Sequence, residues 1–151
     1  MSKTVFGTKL VGLFALLLLI PACGSPAGQE AQLVGKWSRE QTMRDGTVIE
    51  IIEEFRSDYT YSLSMPTPMG ERFKMNGKWQ LEGDEIQITP TDATGPEVFV
   101  KLVMEMVKSE IVQREKIEQL DESQLVLREY DTETNKWDTS SLTFKREEPG
   151  S

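Results

Sequence analysis

Carboxylates and one thiol are the side chains of this sequence that could do chemistry, because it contains no histidine and a single cysteine, Cys23. Adjacent residues on a strand point to opposite faces, so neighbouring acidic residues cannot place both carboxylates on one glycosidic bond. We predict that the acidic pairs are solvated: Glu53/Glu54, Asp84/Glu85, Asp121/Glu122 and Glu147/Glu148. Without a histidine base, a Gly-x-Ser-x-Gly motif or a glycine-rich phosphate loop, the sequence predicts no enzymatic activity and no cofactor.

Glu53 is the one carboxylate that could belong to a site. It shares a strand face with Ile49, Ile51 and Phe55, and a carboxylate that points into an apolar interior needs a partner or a raised pKa. Glu53 would then anchor a ligand, unless it lies in water at an open rim. A hydrolase that pairs Glu53 with a distant carboxylate is a further alternative, and it requires turnover that disappears in Glu53→Gln.

Methionines form the second group with potential chemistry, because thioethers bind copper(I). Neither a histidine nor a Cys-x-x-Cys motif accompanies them, and methionine commonly fills gaps in apolar interiors. We predict core filling or a flexible pocket lining, and no metal site, for Met43, Met65, Met69, Met75, Met104 and Met106.

The first 22 residues have the composition of an export signal. Lys3 and Lys9 precede an uncharged run over residues 10–20, which is about half of the roughly 20 residues that span a bilayer. Ala22 stands immediately before Cys23, and the ending Ile-Pro-Ala-Cys resembles the lipobox of bacterial lipoproteins. The alternative is a free thiol after an ordinary cleaved signal.

The lipobox resemblance implies that residues 1–22 are a signal peptide and that Cys23 becomes the lipidated first residue, with acyl chains such as palmitate. Two or three acyl chains anchor a protein stably without a spanning helix. We therefore expect an exported protein whose membrane partner is reached through Cys23, with residues 23–32 as lipidated cysteine and flexible tether. Gly24 replaces the Asp of the inner-membrane retention signal, which favours the outer membrane in a Gram-negative host.

Residues 23–151 have the size of one domain and carry 15 basic and 25 acidic residues, a formal charge of −10. An acidic chain repels phosphate backbones, so we predict no nucleic-acid partner. We assign residues 33–147 to the domain and residues 148–151 to a tail.

Apolar and polar residues alternate with a period of two through most of the domain, which is typical of half-buried strands. The alternation runs through residues 59–65 and 73–81, and Gly83 and Asp84 form a predicted hairpin turn. Further strands are predicted over Thr47–Phe55, Gln124–Tyr130 and Trp137–Arg146. With no array of amphipathic helices to cover it, the sheet must curl into a barrel or pack as a sandwich. Residues 98–120 fit either a helix or two strands, and we favour two strands.

Gly35-Lys36-Trp37 matches the Gly-x-Trp that opens the first strand of lipocalins, and Arg146 lies where lipocalins carry an arginine across that tryptophan. From Leu33 to about Glu147 the chain resembles small lipocalin-like domains of bacterial lipoproteins. The resemblance implies an all-β, antiparallel, up-and-down barrel of about eight strands, closed structurally by Gly35, Trp37 and Arg146. The chain lacks the lipocalin disulfide and flanking C-terminal helix, which leaves open whether the interior holds a cavity or is filled.

The predicted function is a membrane-anchored carrier of a small apolar or amphipathic ligand in the cell envelope. The alternative is a structural or interaction lipoprotein with a solid barrel and a partner surface on its loops. The sequence indicates no particular protein partner. The predicted ligand-binding wall consists of Ile51, Glu53, Tyr59, Tyr61, Phe73, Met75 and Trp79.

Overall fold

Nine β-strands and two helices follow one another in the computed structural model, which describes residues 28–148. The predicted signal peptide, Cys23, the start of the predicted tether and residues 149–151 lie outside the described residues. The elements are α1 Gln29–Leu33, β1 Gly35–Thr42, β2 Val48–Phe55, β3 Thr60–Pro66, β4 Arg72–Glu82, β5 Glu85–Thr94, α2 Glu97–Lys108, β6 Gln113–Leu120, β7 Gln124–Asp131, β8 Lys136–Trp137 and β9 Leu142–Arg146.

Eight of these strands form a closed antiparallel ring. Strands β1 to β7 pair with their neighbours in chain order, and β9 closes the ring by pairing with β7 on one side and β1 on the other. The two-residue β8 pairs with β7. The prediction of an antiparallel barrel of about eight strands is therefore confirmed, and the predicted strand Trp137–Arg146 is divided between β8 and β9.

The barrel interior is apolar because the strands alternate inward and outward residues. Along β4, Phe73, Met75, Gly77 and Trp79 are buried, whereas Lys74 and the other alternating residues face outward. The buried side chains from all eight ring strands meet in one core. The period of two in the sequence is thus the direct cause of the sheet's dry inner face.

One end of the barrel, called the closed end, is sealed around Trp37. This indole is fully buried and donates a hydrogen bond from Nε1 to the Leu33 carbonyl at 2.8 Å. The Arg146 guanidinium carbon lies 4.2 Å from the ring centroid of Trp37, and the guanidinium also donates to the Val34 carbonyl at 3.0 Å. Gly35 has φ 147°, and a Cβ there would lie 2.5 Å from Nη1 of Arg146. The structure thus brings Gly35, Trp37 and Arg146 together.

The short helix α1 covers the closed end and corrects the predicted tether. The sequence predicts a flexible segment over residues 23–32, but the chain is helical from Gln29, and Leu33 is fully buried. The Gln32 carbonyl accepts a hydrogen bond from Arg146, and the Glu30 carboxylate accepts one from Tyr59 at 3.3 Å. These tertiary contacts stabilise a helix that lacks the length to be stable in isolation.

The prediction of two strands over residues 98–120 is wrong for its first half. Helix α2 occupies Glu97–Lys108, and only β6, Gln113–Leu120, is a strand. Apolar residues in α2 occur at helical spacing as well as in alternation, and ion pairs support the helix at 2.6 Å between Glu97 and Lys101 and 2.7 Å between Glu105 and Lys108. Within residues 28–148, neither helix is long and apolar enough to cross a bilayer.

Candidate functional site

A cavity of about 1120 Å³ occupies the half of the barrel away from the closed end. Its wall comes from the ends of β1 and β2 near their connecting turn, from β3, β4, β6 and β7, and from α2. We call this end the mouth. The apolar lining includes Ile49, Ile51, Leu63, Met65, Phe73 and Met75.

Five of the seven predicted wall residues line this cavity, namely Ile51, Glu53, Tyr61, Phe73 and Met75. They come from β2, β3 and β4, and each follows the inward phase of its strand. Of the six methionines considered as a group, Met43, Met65, Met75 and Met106 also line the cavity. Unbranched thioether side chains suit a lining that adapts to the shape of its contents.

The assignment of Tyr59 and Trp79 to the wall is corrected by the structure. Tyr59 has φ 63°, which interrupts the alternation before β3 begins and leaves its side chain exposed. Its ring packs 5.3 Å from Trp79, which contacts Phe55 at 5.7 Å and donates from Nε1 to the Arg56 carbonyl at 3.0 Å. Both residues therefore belong to the packing at the closed end.

Helix α2 supplies the apolar side of the mouth. Phe99, Leu102, Val103 and Met106 line the cavity, and the Phe99 ring lies 5.5 Å from that of Phe73. The chain enters this helix through Gly95 at φ 122°, where a Cβ would lie 2.8 Å from the Arg72 carbonyl oxygen. Glycine is thus required for the close approach that places α2 over the start of β4.

The mouth has an exposed apolar rim. Val48 is 57% exposed, Leu102 is 62% exposed and Ile111 is 40% exposed, and all three line the cavity. An amphipathic molecule that enters the barrel would first contact these side chains.

Charged side chains lie deeper in the barrel, between the apolar mouth and the closed end. Glu53 and Glu115 are 4% and 8% exposed, and in each carboxyl group Oε2 is buried without a hydrogen-bond partner. Arg39 lines the same cavity, and its Nε is likewise buried without a partner. Glu129 lies opposite Glu115 in the register of β6 with β7, but is exposed. We call Arg39, Glu53, Glu115 and Glu129, with the Tyr61 hydroxyl, the polar cluster.

Burial is the main influence on the acidity of the cluster. Desolvation raises the pKa of Glu53 from 4.5 to about 7, opposed by the charge of Arg39 and by a hydrogen bond from the Tyr61 hydroxyl, while the charge of Glu129 raises it further. Desolvation and the charges of Glu53 and Glu129 also raise the pKa of Glu115 well above its usual value. Burial raises the pKa of Tyr61, which remains a hydrogen-bond donor at neutral pH.

Sequence reasoning missed three members of this cluster, namely Arg39, Glu115 and Glu129. The signal that could have found them is the same period of two. Arg39 follows Trp37 by two residues on β1, and Glu115 precedes Ile117 by two on β6. These charged residues lie where the inward face changes from apolar to polar, since Gln41 follows Arg39 and Gln113 precedes Glu115 in the alternation.

The cluster has the chemistry of a recognition site for a positively charged or hydrogen-bonding group. The polar cluster contains three carboxyl groups and one phenol but a single arginine, Arg39. Among residues 28–148, no group of three or more histidine, cysteine, aspartate or glutamate side chains is arranged to hold a metal ion.

Comparisons with known proteins agree with this architecture. No protein-family model matches the chain, and no curated protein matches it. Among solved structures, a lipocalin-like protein from Bacteroides uniformis ATCC 8492 is 22% identical, with a TM-score of 0.50, and the match covers 76% of this chain and 98% of that one. An uncharacterized protein from Bacteroides eggerthii DSM 20697 is 19% identical, with a TM-score of 0.49, and covers 76% of this chain and 99% of its own. The first of these likenesses establishes that this chain has a lipocalin-like barrel fold.

Proposed function

We propose that this protein binds a small amphipathic molecule inside the barrel and is not an enzyme. The observation that carries the proposal is the cavity itself, which combines an apolar wall with a few buried polar groups at its depth. Ligand sites in proteins commonly have this composition, with volumes of roughly 300–1,000 Å³. The present cavity is slightly larger than that range.

The apolar wall accounts for affinity. Burial of apolar surface contributes about 25 cal/mol per Å² removed from water, and the lining offers Ile51, Phe73, Met75 and Phe99 for such contacts. The polar cluster orients the ligand. A ligand whose head group made no hydrogen bonds to Glu53 and Glu115 would leave the free-energy cost of burying their carboxyl groups uncompensated.

The solid-barrel alternative requires an interior filled by its own side chains. Filling is complete only around the closed end, where Trp37, Phe55, Trp79 and Phe144 are buried. The cavity on the mouth side argues against that alternative and in favour of a carrier.

We also infer that a lipid on Cys23 holds the protein on a bacterial membrane, in the cell envelope. Gly28, where the described chain begins, leads into α1 at the closed end. An anchor five residues before Gly28 would therefore attach beside the closed end and leave the mouth at the opposite end of the barrel. In this arrangement the ligand enters from the side away from the anchor.

Two neighbouring isoleucines on β2 provide a matched test of the cavity. Ile51 is buried and lines the cavity, whereas Ile52 is not among the lining residues and points to the opposite face. Ile51→Trp should occupy cavity volume, and Ile52→Trp adds the same side chain outside it. We would incubate both variants and the wild-type chain with dodecanol and count bound molecules by native mass spectrometry.

We expect one dodecanol per chain in the wild type and in Ile52→Trp, and a lower occupancy at the same dodecanol concentration in Ile51→Trp, because the indole displaces part of the apolar contact surface of the cavity. The same reduction in both variants would argue against binding inside the barrel. A wild-type chain that takes up no dodecanol and no other apolar probe would contradict the carrier function.

A further inference from the structure

We propose that the ligand is a cationic amphiphile, a protonated amine on an apolar body, whose ammonium group binds Glu53 and Glu115 while the body lies toward the mouth. This inference rests on the proposed carrier function and adds the chemical class of the ligand.

The first observation is the pair of buried acceptor atoms without partners. Oε2 of Glu53 and Oε2 of Glu115 both line the cavity side of the barrel, on residues that are 4% and 8% exposed. Buried polar atoms are nearly always hydrogen-bonded in folded proteins. An ammonium group has three donors and can satisfy both oxygens at once.

The second observation is the sign of the charge around the cavity. Two arginines line it, Arg39 and Arg114, against six carboxylate residues, Asp45, Glu53, Glu115, Glu129, Asp131 and Asp138. Arg114 donates two hydrogen bonds to the Glu85 carboxylate, at 2.6 and 2.8 Å. Its charge is therefore neutralised by a carboxylate outside the lining.

Arg39 is the residue that would favour an anionic head group instead. Its Nη1 donates to the Gln41 side chain at 2.9 Å, and its guanidinium lies 5.4 Å from the Phe144 ring. An anion placed against Arg39 would also face Glu53 and Glu115, whose charges act on the same space. When these carboxyl groups are ionised, their combined repulsion of an anion exceeds the attraction of one guanidinium in the same space.

The apolar lining fixes the orientation of the ligand. The cluster lies at depth, whereas Val48, Leu102 and Ile111 form the exposed rim. A ligand with a cationic head and an apolar body satisfies both regions only when its head is inserted first. The body then contacts Phe73 and Phe99 beneath α2.

Binding of an ammonium group must be linked to proton release. The groups that face Glu53 are Arg39 from β1, Tyr61 from β3, Glu115 from β6 and Glu129 from β7. With the pKa of Glu53 at about 7, its ionised fraction rises about tenfold between pH 6 and pH 8, and an alkylamine stays protonated over this range. Affinity for an amine should rise by about the same factor, while affinity for an alcohol should not.

The test compares three probes that share a twelve-carbon chain: dodecylamine, dodecanol and dodecanoate. Each is titrated calorimetrically into the full wild-type chain at pH 6 and pH 8. The same titrations are made with the double variant Glu53→Gln/Glu115→Gln, which keeps the shape of both side chains and removes their charge. Glu50→Gln is the matched control, because Glu50 lies on the same strand as Glu53 but on its exposed face.

We expect dodecylamine to bind the wild type at pH 8 at least tenfold more tightly than dodecanol or dodecanoate, a preference that falls at pH 6. The double variant should lose this preference and still bind dodecanol, and Glu50→Gln should behave as the wild type. Any binding elsewhere on the chain would be unchanged in the double variant.

Equal or tighter binding of dodecanoate would overturn the cationic-ligand inference and leave the carrier function standing. So would an amine preference that persists in the double variant. The pH dependence of the wild type is a separate check that needs no variant, and a pH-independent preference would also overturn the inference. Failure of all three probes to bind would overturn the carrier function itself.

Discussion

Glu53→Gln should remove much of the pH dependence of this protein's stability between pH 5 and pH 8. Glu53 is 4% exposed, and one of its carboxyl oxygens has no partner. Its pKa is raised from 4.5 to about 7, chiefly by burial. Glutamine has nearly the same shape and no proton to lose, so the variant tests the charge of this group and little else.

The sign follows from the direction of the pKa change. The folded state holds the Glu53 proton more tightly than the unfolded state, so the stabilisation from this group is complete below pH 4.5 and is lost as the pH rises to about 7. At about 1.4 kcal/mol per pH unit, the loss is about 3 kcal/mol. Glu115 acts in the same direction. The pKa of Asp121 is lowered from 3.8 to about 2, so its ionisation changes the stability only in acid and not between pH 5 and pH 8.

The assay is urea unfolding of the wild type and the variant at pH 5 and pH 8. At pH 5 the two free energies of unfolding should agree within about 1 kcal/mol, and at pH 8 the variant should be more stable by about 3 kcal/mol. Glu50→Gln, the same change at an exposed position of β2, should follow the wild type at both values. A Glu53→Gln variant with the full wild-type pH dependence would show that ionisation of Glu53 does not control stability in this interval.

Three further predictions concern the closed end and the anchor. Trp79→Ala should lower the free energy of unfolding by about 3–5 kcal/mol, measured by denaturant titration. It should leave the dodecanol stoichiometry in native mass spectrometry unchanged, because Trp79 is buried outside the cavity lining. Loss of dodecanol binding in a folded variant would contradict this prediction. Gly35→Ala should lower the free energy of unfolding by about 1–3 kcal/mol through backbone strain, and contact between the new Cβ and Arg146 should lower it further. The effect should be seen as a lower Tm, and an unchanged Tm would be evidence against the described packing of Gly35 and Arg146 at the closed end. Cys23→Ala should move the protein from the membrane fraction to the soluble fraction of its host, and retention in the membrane fraction would exclude the proposed lipid anchor.

The barrel could be predicted because its physical cause is local. Each strand alternates apolar and polar residues, as β4 does from Phe73 to Trp79, and a sheet with one dry face must bury it. The contact between Trp37 and Arg146 could be predicted only from the lipocalin resemblance, because these residues are more than 100 positions apart. Nothing local indicates that they lie opposite each other in the register of β1 and β9.

Helix α2 could not be resolved from the apolar pattern because that pattern satisfies both periods. Val98, Val100 and Leu102 alternate as on a strand, while Phe99, Val103 and Met106 share the buried side of the helix. The better signal was electrostatic, since Glu97 and Lys101 are spaced as a helical ion pair.

The polar cluster was only partly predictable because it is assembled from distant strands. Glu53 was identified from its inward phase on β2, but its neighbours Arg39, Glu115 and Glu129 come from β1, β6 and β7. Their proximity depends on barrel closure and register. Tyr59 was misplaced for a backbone reason, since its positive φ breaks the alternation.

The most direct test of the carrier function is native mass spectrometry of the protein extracted gently from its own cells. We expect one small molecule per chain that leaves on denaturation and that combines an amine with an apolar body. A bare polypeptide mass, still bare after incubation with dodecylamine and dodecanol, would contradict the claim that this barrel carries a ligand.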